Sequence, residues 1–106
     1  MVKHIVFWKL KESAHGNTRE VNGRLIKEKL EALRGVIPGL LRIEVGIDFS
    51  KSEQSADLAL YSVFASRAAL DAYQEHPAHK ALLPFIGEAR SERRVVDYED
   101  GGSETP

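Results

Sequence analysis

Two histidines and one tyrosine are the side chains with the clearest chemical potential: His4, Tyr73 and His79. Histidine titrates near neutral pH, so its imidazole can take a proton from a carbon next to a carbonyl group. A tyrosine hydroxyl can donate a hydrogen bond to the oxygen on which the enolate charge then develops. In this scheme His79 is the base, Tyr73 stabilises the enolate, and His4 orients the other histidine or binds a substrate oxygen.

The first of these residues lies on a predicted strand, Val2–Leu10. Its even-numbered residues place His4 on the same face as Val6 and Trp8. Both faces of the strand are largely apolar, which is typical of a strand that is covered on both sides.

The other two residues lie on a helical region that is predicted to break in the middle. Ser66 caps a helix that carries Tyr73, and Pro77 interrupts it because proline disfavours helical geometry in the preceding residue. A second helical segment begins at Pro77, with His79 on the same face as Leu82 and Ile86. If the even face of the first strand points toward the helices, all three polar residues line one pocket.

Such a pocket, mostly apolar with a few polar groups, is the usual form of a small-ligand site. Its expected apolar lining is Ile26, Leu30, Leu60, Leu82 and Ile86. Each polar residue also has a purely structural interpretation: a core tyrosine, a strand histidine bonded to backbone, or a histidine bonded at the helix break. His76 is expected to bond at that break, and His15 is expected to be exposed.

Periodicity predicts an α+β fold of the ferredoxin-like β-α-β-β-α-β type, with a four-stranded antiparallel sheet and helices on one face. The first helix is predicted to begin at Asn17, with Glu20 as its capping-box partner, and to stop at Gly35 in the left-handed conformation. Residues 99–106 are predicted to be a polar, flexible tail. The remaining predicted strands are Leu41–Asp48, Asp57–Ala65 and Arg93–Tyr98.

The helices of this chain can cover only one face of such a sheet. The first and third strands are nevertheless apolar on both faces, and 106 residues leave no further element to cover the second. A second copy, packed sheet against sheet about a two-fold axis, is the simplest cover, so a homodimer is expected.

Composition excludes several classes of protein. Fifteen Lys and Arg against sixteen Asp and Glu give a net charge of -1, so no nucleic-acid partner is expected. The chain has no cysteine, which excludes disulfides and thiolate metal sites. Its longest apolar run, Ile5–Trp8, is far shorter than the ~20 residues of a membrane helix. We expect a soluble, cytoplasmic domain.

Several short motifs along the chain form a recognisable set: Lys3-His4-Ile5-Val6, Ile37-Pro38-Gly39, Gly46-Ile47-Asp48, Tyr73, His76-Pro77-Ala78-His79 and Val96-Asp97-Tyr98. Together they resemble the stress-responsive A/B barrel (Dabb) family. The resemblance runs from about Val2 to Tyr98 and implies a Dabb domain at 1–98 with the dimeric α/β barrel architecture.

The resemblance implies two kinds of function. Most family members have no established reaction, and some plant members are associated with stress, which suggests a homodimer that binds a small apolar or aromatic carbonyl compound. One plant branch is a polyketide cyclase that performs an aldol condensation without a cofactor. Its catalytic tyrosine and histidine match Tyr73 and His79, with His4 nearby, so a cofactor-free cyclase or lyase is the alternative.

No cofactor and no histidine-bound metal are expected. His76 and His79 are three residues apart, but Pro77 intervenes and no carboxylate at matching spacing completes a site. The resemblance also implies a second kind of metal site: in some family members, backbone carbonyls after the first helix hold an ion at the dimer contact. The corresponding region here is Leu33–Gly39, and carbonyl ligands leave no mark in a sequence.

Overall fold

The computed structural model describes residues 1–101, and the predicted ferredoxin-like α+β fold is confirmed. Four strands form one antiparallel sheet in the order β4-β5-β1-β6, so β1 is central and pairs with both β5 and β6. The elements are β1 (Val2–Leu10), β2 (Ser13–Ala14), β3 (Asn17–Thr18), α1 (Arg19–Glu31), β4 (Leu40–Ile47), β5 (Leu58–Phe64), α2 (Arg67–Glu75), α3 (Pro77–Lys80), α4 (Leu83–Ala89) and β6 (Arg90–Glu99).

The core lies between the helices and one face of the sheet, which we call the inner face. The even-numbered residues of β1 are on this face, opposite even-numbered residues of β5: Val6 pairs with Leu60 and Trp8 with Leu58. From α1, Ile26 fills the centre of this layer and is fully buried. Burial of apolar side chains on the inner face is therefore what holds helices and sheet together.

The first helix begins one residue later than predicted. Thr18, not Asn17, is its N-cap, and the Thr18 hydroxyl accepts a hydrogen bond from the amide of Val21. Asn17 instead belongs to the small hairpin formed by β2 and β3. The buried Asn22 fixes this hairpin, because its amide donates to the Ala14 carbonyl and its oxygen accepts from the Asn17 side chain.

The turn between α1 and β4 depends on glycine. Gly35 has a φ of 78°, as predicted, although α1 itself ends earlier, at Glu31. Gly39 has a φ of 82°, and a Cβ there would lie 2.6 Å from the Cβ of Ala69 on α2. Both the backbone conformation and the close approach of α2 therefore require glycine at residue 39.

The predicted break at Pro77 is confirmed. His76 has extended backbone angles and separates α2 from α3, and its Nδ1 accepts a hydrogen bond from the Ala78 amide. The chain then continues as two short helices, α3 and α4, rather than as one.

Side chains of α1 and of the turn that follows it cover the free edge of β4. Lys27 donates to the Val45 carbonyl, and Glu31 accepts from the Val45 amide. Arg34 donates to the Ile43 carbonyl. The hydrogen bond from Lys27 is the main reason that the pKa of Glu31 lies below its ordinary value, with the Val45 amide second.

The opposite, outer face of the sheet remains largely open within residues 1–101. Phe7, Val96 and Tyr98 point to this face and are each more than 40% exposed. None of the helices in residues 1–101 is both long and apolar enough to cross a membrane.

The predicted tail falls mainly on residues 102–106, which lie outside the described part of the chain. The structure places its first residues differently from the prediction. Glu99 is the last residue of β6, and the Asp100 amide donates to the Met1 carbonyl.

Candidate functional site

A cavity of about 460 Å³ lies between the inner face of β1 and β6 and the helices that follow the break. Its walls combine apolar side chains with imidazole, phenol, indole and guanidinium groups. The lining residues are His4, Val6, Trp8, Leu30, Leu60, Tyr73, Gln74, His79, Leu83, Ile86, Gly87, Arg90 and Arg93.

The three polar residues singled out from the sequence all line this cavity. The ring centroids of Tyr73 and His79 are 4.2 Å apart, and those of His4 and Tyr73 are 6.1 Å apart. Of the five apolar residues expected around them, Leu30, Leu60 and Ile86 line the cavity.

The other two expected apolar residues, Ile26 and Leu82, do not line the cavity. Ile26 is fully buried in the core, and Leu82 is half-buried and packs against that core. Each shares a helical stripe with a residue that does reach the cavity. The apolar periodicity shows which side of a helix faces the core, but not which residues on that side line the cavity.

Tyr73 is fully buried at the cavity wall, and its hydroxyl has no hydrogen-bond partner among the described residues. Burial raises the pKa of Tyr73 to about 12, because the phenolate form is penalised in a low-dielectric environment. The phenol therefore stays protonated at neutral pH and is available as a hydrogen-bond donor.

His79 lies in the short helix α3, directly after the break, and packs beside the Tyr73 ring. Burial lowers the pKa of His79, and the nearby His4 and Arg93 lower it further, while the proximity of the Gln74 backbone opposes them. Nδ1 of His79 is buried without a partner among the described residues. The lowered pKa favours the neutral imidazole, which can accept a proton.

His4 has a partner that the sequence analysis did not identify. Its Nδ1 and the Oδ1 atom of Asp97 are 2.5 Å apart, and the two residues face each other across the β1–β6 pair. A carboxylate at one ring nitrogen fixes the orientation of the imidazole and leaves Nε2 for a ligand. Only the β1–β6 register reveals this pairing, because the two residues are far apart in sequence.

Trp8, Arg90 and Arg93 also line the cavity and were missed as site residues. Trp8 Nε1 is buried without a hydrogen-bond partner among the described residues. The sequence analysis placed Trp8 on the same strand face as His4 but gave it no role in the site, and the final strand was predicted to begin only at Arg93. In the structure β6 begins three residues earlier, so Arg90 reaches the cavity as well.

The two remaining histidines have roles outside the cavity. His76 bonds at the helix break, as predicted. His15 is exposed, as predicted, but its ring stacks on Phe85 at 4.2 Å and its Nε2 donates to the Phe85 carbonyl. In residues 1–101, no three histidine, aspartate or glutamate side chains are grouped closely enough to hold a metal ion.

We expect Tyr73→Phe to leave the free energy of unfolding of the ligand-free protein unchanged, or to raise it by about 1 kcal/mol, because the substitution removes a buried hydroxyl that lacks a partner. Ser62→Ala is the matched control: its buried hydroxyl donates to the His4 carbonyl, so its loss lowers the free energy of unfolding by about 1 kcal/mol. Chemical denaturation measures both. A larger loss in Tyr73→Phe than in Ser62→Ala would mean that the phenol already has a stabilising partner.

Comparison with solved structures supports the same fold. The chain is 36% identical to a dimeric protein of unknown function with a ferredoxin-like fold from Bacteroides fragilis, over 92% of this chain and 94% of that one, with a TM-score of 0.82. It is 26% identical to a protein from Arabidopsis thaliana, over 99% and 100% of the two chains, with a TM-score of 0.73.

A hydroxynitrile lyase from Passiflora edulis shares the fold at 20% identity, over 92% of this chain and 90% of that one, with a TM-score of 0.76. At that identity the likeness concerns the fold alone. None of the curated proteins matches this chain.

The model of the stress responsive A/B barrel domain matches residues 2–100. This range includes every strand of the sheet and all the polar residues of the cavity. The chain therefore belongs to the stress-responsive A/B barrel domain (Dabb) family.

Proposed function

We propose that this protein is a homodimer that binds a small apolar or aromatic carbonyl compound in the cavity of each protomer. One observation carries the proposal: Trp8 Nε1, Tyr73 Oη and His79 Nδ1 are buried at the cavity wall and lack partners within residues 1–101. Buried polar groups are normally hydrogen-bonded, so unpaired groups around one cavity are best explained by a ligand or by water.

The chemistry of the unpaired groups suggests what the ligand carries. The indole N–H and the phenol O–H are donors, and a carbonyl oxygen is an acceptor that can be shared between donors. Val6, Leu30, Leu60 and Ile86 supply the apolar part of the wall. A ligand with a carbonyl group on an aromatic or alkyl body therefore fits both parts of this lining.

The homodimer is supported by the open outer face of the sheet. Phe7, Val96 and Tyr98 form an exposed apolar surface there, and packing a second copy against it removes that surface from water. The similar protein from Bacteroides fragilis is dimeric. We therefore assign the outer face to the contact between two copies.

Other parts of the functional assignment stay predictions. An association with stress rests on the family to which the chain belongs. A cytoplasmic location and the lack of a nucleic-acid partner rest on composition and charge alone.

A second candidate function is cofactor-free proton transfer, and the neutral His79 beside a protonated Tyr73 favours it. His79 would take a proton from the carbon next to the ligand carbonyl, and the electron pair would move to the carbonyl oxygen. Tyr73 would donate its hydrogen bond to that enolate. In an aldol step the enolate carbon attacks a second carbonyl, a carbon–carbon bond forms, and the His79 imidazolium returns its proton to the new alkoxide.

The dimer is tested by the sedimentation of a charged outer-face variant. We expect the wild-type protein to sediment at twice the mass of one chain at micromolar concentration, and Phe7→Glu to shift it toward the monomer, because the new carboxylate would be buried without a partner. Ala72→Glu adds the same charge on the exposed side of α2 and should stay dimeric. A wild-type monomer would contradict the proposal.

Ligand binding can be followed through Trp8, which is the single tryptophan of the chain and lies in the cavity wall. We expect 4-methylacetophenone to change its fluorescence, and Tyr73→Phe to weaken binding by roughly three- to tenfold, the effect of one lost hydrogen bond. Ser50→Ala removes an exposed hydroxyl outside the cavity and serves as control. Equal affinities in the wild type and Tyr73→Phe would show that the Tyr73 hydroxyl does not bind the ligand.

Proton transfer predicts deuterium uptake at carbons next to a carbonyl. In heavy water, we expect the protein to accelerate this exchange in a panel of aromatic ketones and β-diketones, as followed by NMR, and His79→Ala to abolish the acceleration. His15→Ala should retain it, because His15 stacks on Phe85 outside the cavity. Exchange at the wild-type rate in His79→Ala would eliminate His79 as the base.

A further inference from the structure

The cavity has a strongly cationic side that the proposed carbonyl ligand leaves unexplained. Arg90 and Arg93 of β6 both line it, and no aspartate or glutamate is among the lining residues. Neither arginine forms an ion pair within residues 1–101. Two unpaired guanidinium groups at one wall form a ready site for an anionic group.

A β-bulge places both arginines on the same face of the strand. In a regular strand, residues three apart point to opposite faces. Here Trp8 pairs with Arg93, but Leu10 pairs with Arg90, because the register shifts after Lys9 and Ser91 is the extra residue. The bulge thereby turns Arg90 to the inner face beside Arg93, and redirecting a side chain toward a site is a common role of bulges.

The other side of the cavity is uncharged. Tyr73 stays protonated, and burial lowers the pKa of His79, with further contributions from His4 and Arg93, which favours its neutral form. Positive charge is thus concentrated at Arg90 and Arg93, near the start of β6, whereas the Asp97 carboxylate farther along the strand is bonded to His4. Neutral hydrogen-bonding groups lie toward α2 and α3. This separation suits a ligand with an anionic end and a carbonyl end.

We propose that the cavity selects carbonyl compounds that also carry a carboxylate, such as keto acids or acyl-substituted aromatic acids. The carboxylate binds between Arg90 and Arg93, and the carbonyl group lies toward Tyr73 and His79. This inference rests on the proposed function, because it requires that the cavity binds a carbonyl compound at all. It adds the class of ligand and the residues that determine it.

A matched pair of probes tests the proposal: 4-acetylbenzoate and its neutral analogue 4-acetylbenzamide, which has nearly the same shape. Trp8 fluorescence reports the binding of both. We expect the carboxylate to bind roughly tenfold more tightly or better, because charge-assisted hydrogen bonds to guanidinium are stronger than neutral ones.

Arginine variants show whether the preference for the carboxylate comes from Arg90 and Arg93 or from the positive charge of the protein in general. Arg93→Gln and Arg90→Gln should each reduce the preference for the carboxylate, and the double variant should abolish it, while all three still bind the amide. Arg24→Gln removes the same charge from the exposed surface of α1, outside this cavity, and should keep the full preference. Retained binding of the amide also shows that each variant is folded.

Three results overturn the proposal. If the wild-type protein binds the two probes equally, or if the double variant keeps the preference, carboxylate selection is wrong while carbonyl binding stands. If the wild-type protein binds neither probe, the proposed function fails and this inference fails with it.

Discussion

The helices bury the inner face of the sheet except at β6. The cavity lies where this layer of helices is missing. β6 pairs with β1 along its length, yet every residue from Ser91 to Glu99 is exposed. The helices α3 and α4 follow the break at Pro77, and within residues 1–101 they do not bury the inner face of β6. Residues of β1 that would otherwise lie in a continuous core, such as His4 and Trp8, instead form a wall.

Buried polar groups in the described residues are of two kinds, those with hydrogen-bond partners and those without. Away from the cavity, Ser62 donates to a strand carbonyl and Asn22 makes two hydrogen bonds to the hairpin, so each supports the fold. At the cavity, Trp8, Tyr73 and His79 keep buried polar atoms without partners in the described residues. An unpaired buried group costs stability, and such costs are typical of sites that bind something from outside the chain.

The order of strands and helices could be predicted from the sequence because apolar periodicity and the break at Pro77 are local signals. The convergence of the polar residues followed from assigning each to a face. Details that depend on long-range contacts could not be predicted. Asn17 and Thr18 are both good caps, and only the hairpin decides between them. The bulge at Ser91 has no local signature, and periodicity cannot separate Ile26, in the core, from a residue that reaches the cavity.

The covering of the β4 edge by α1 and the turn after it limits how copies of this protein can polymerise. Lys27, Glu31 and Arg34 occupy the backbone groups of Ile43 and Val45 to which an additional strand would bind. A sheet with one blocked edge can be extended only on its other side, here beyond β6. Edge-to-edge growth therefore stops after two copies, and the helix protects the protein against fibril formation as well as completing its core.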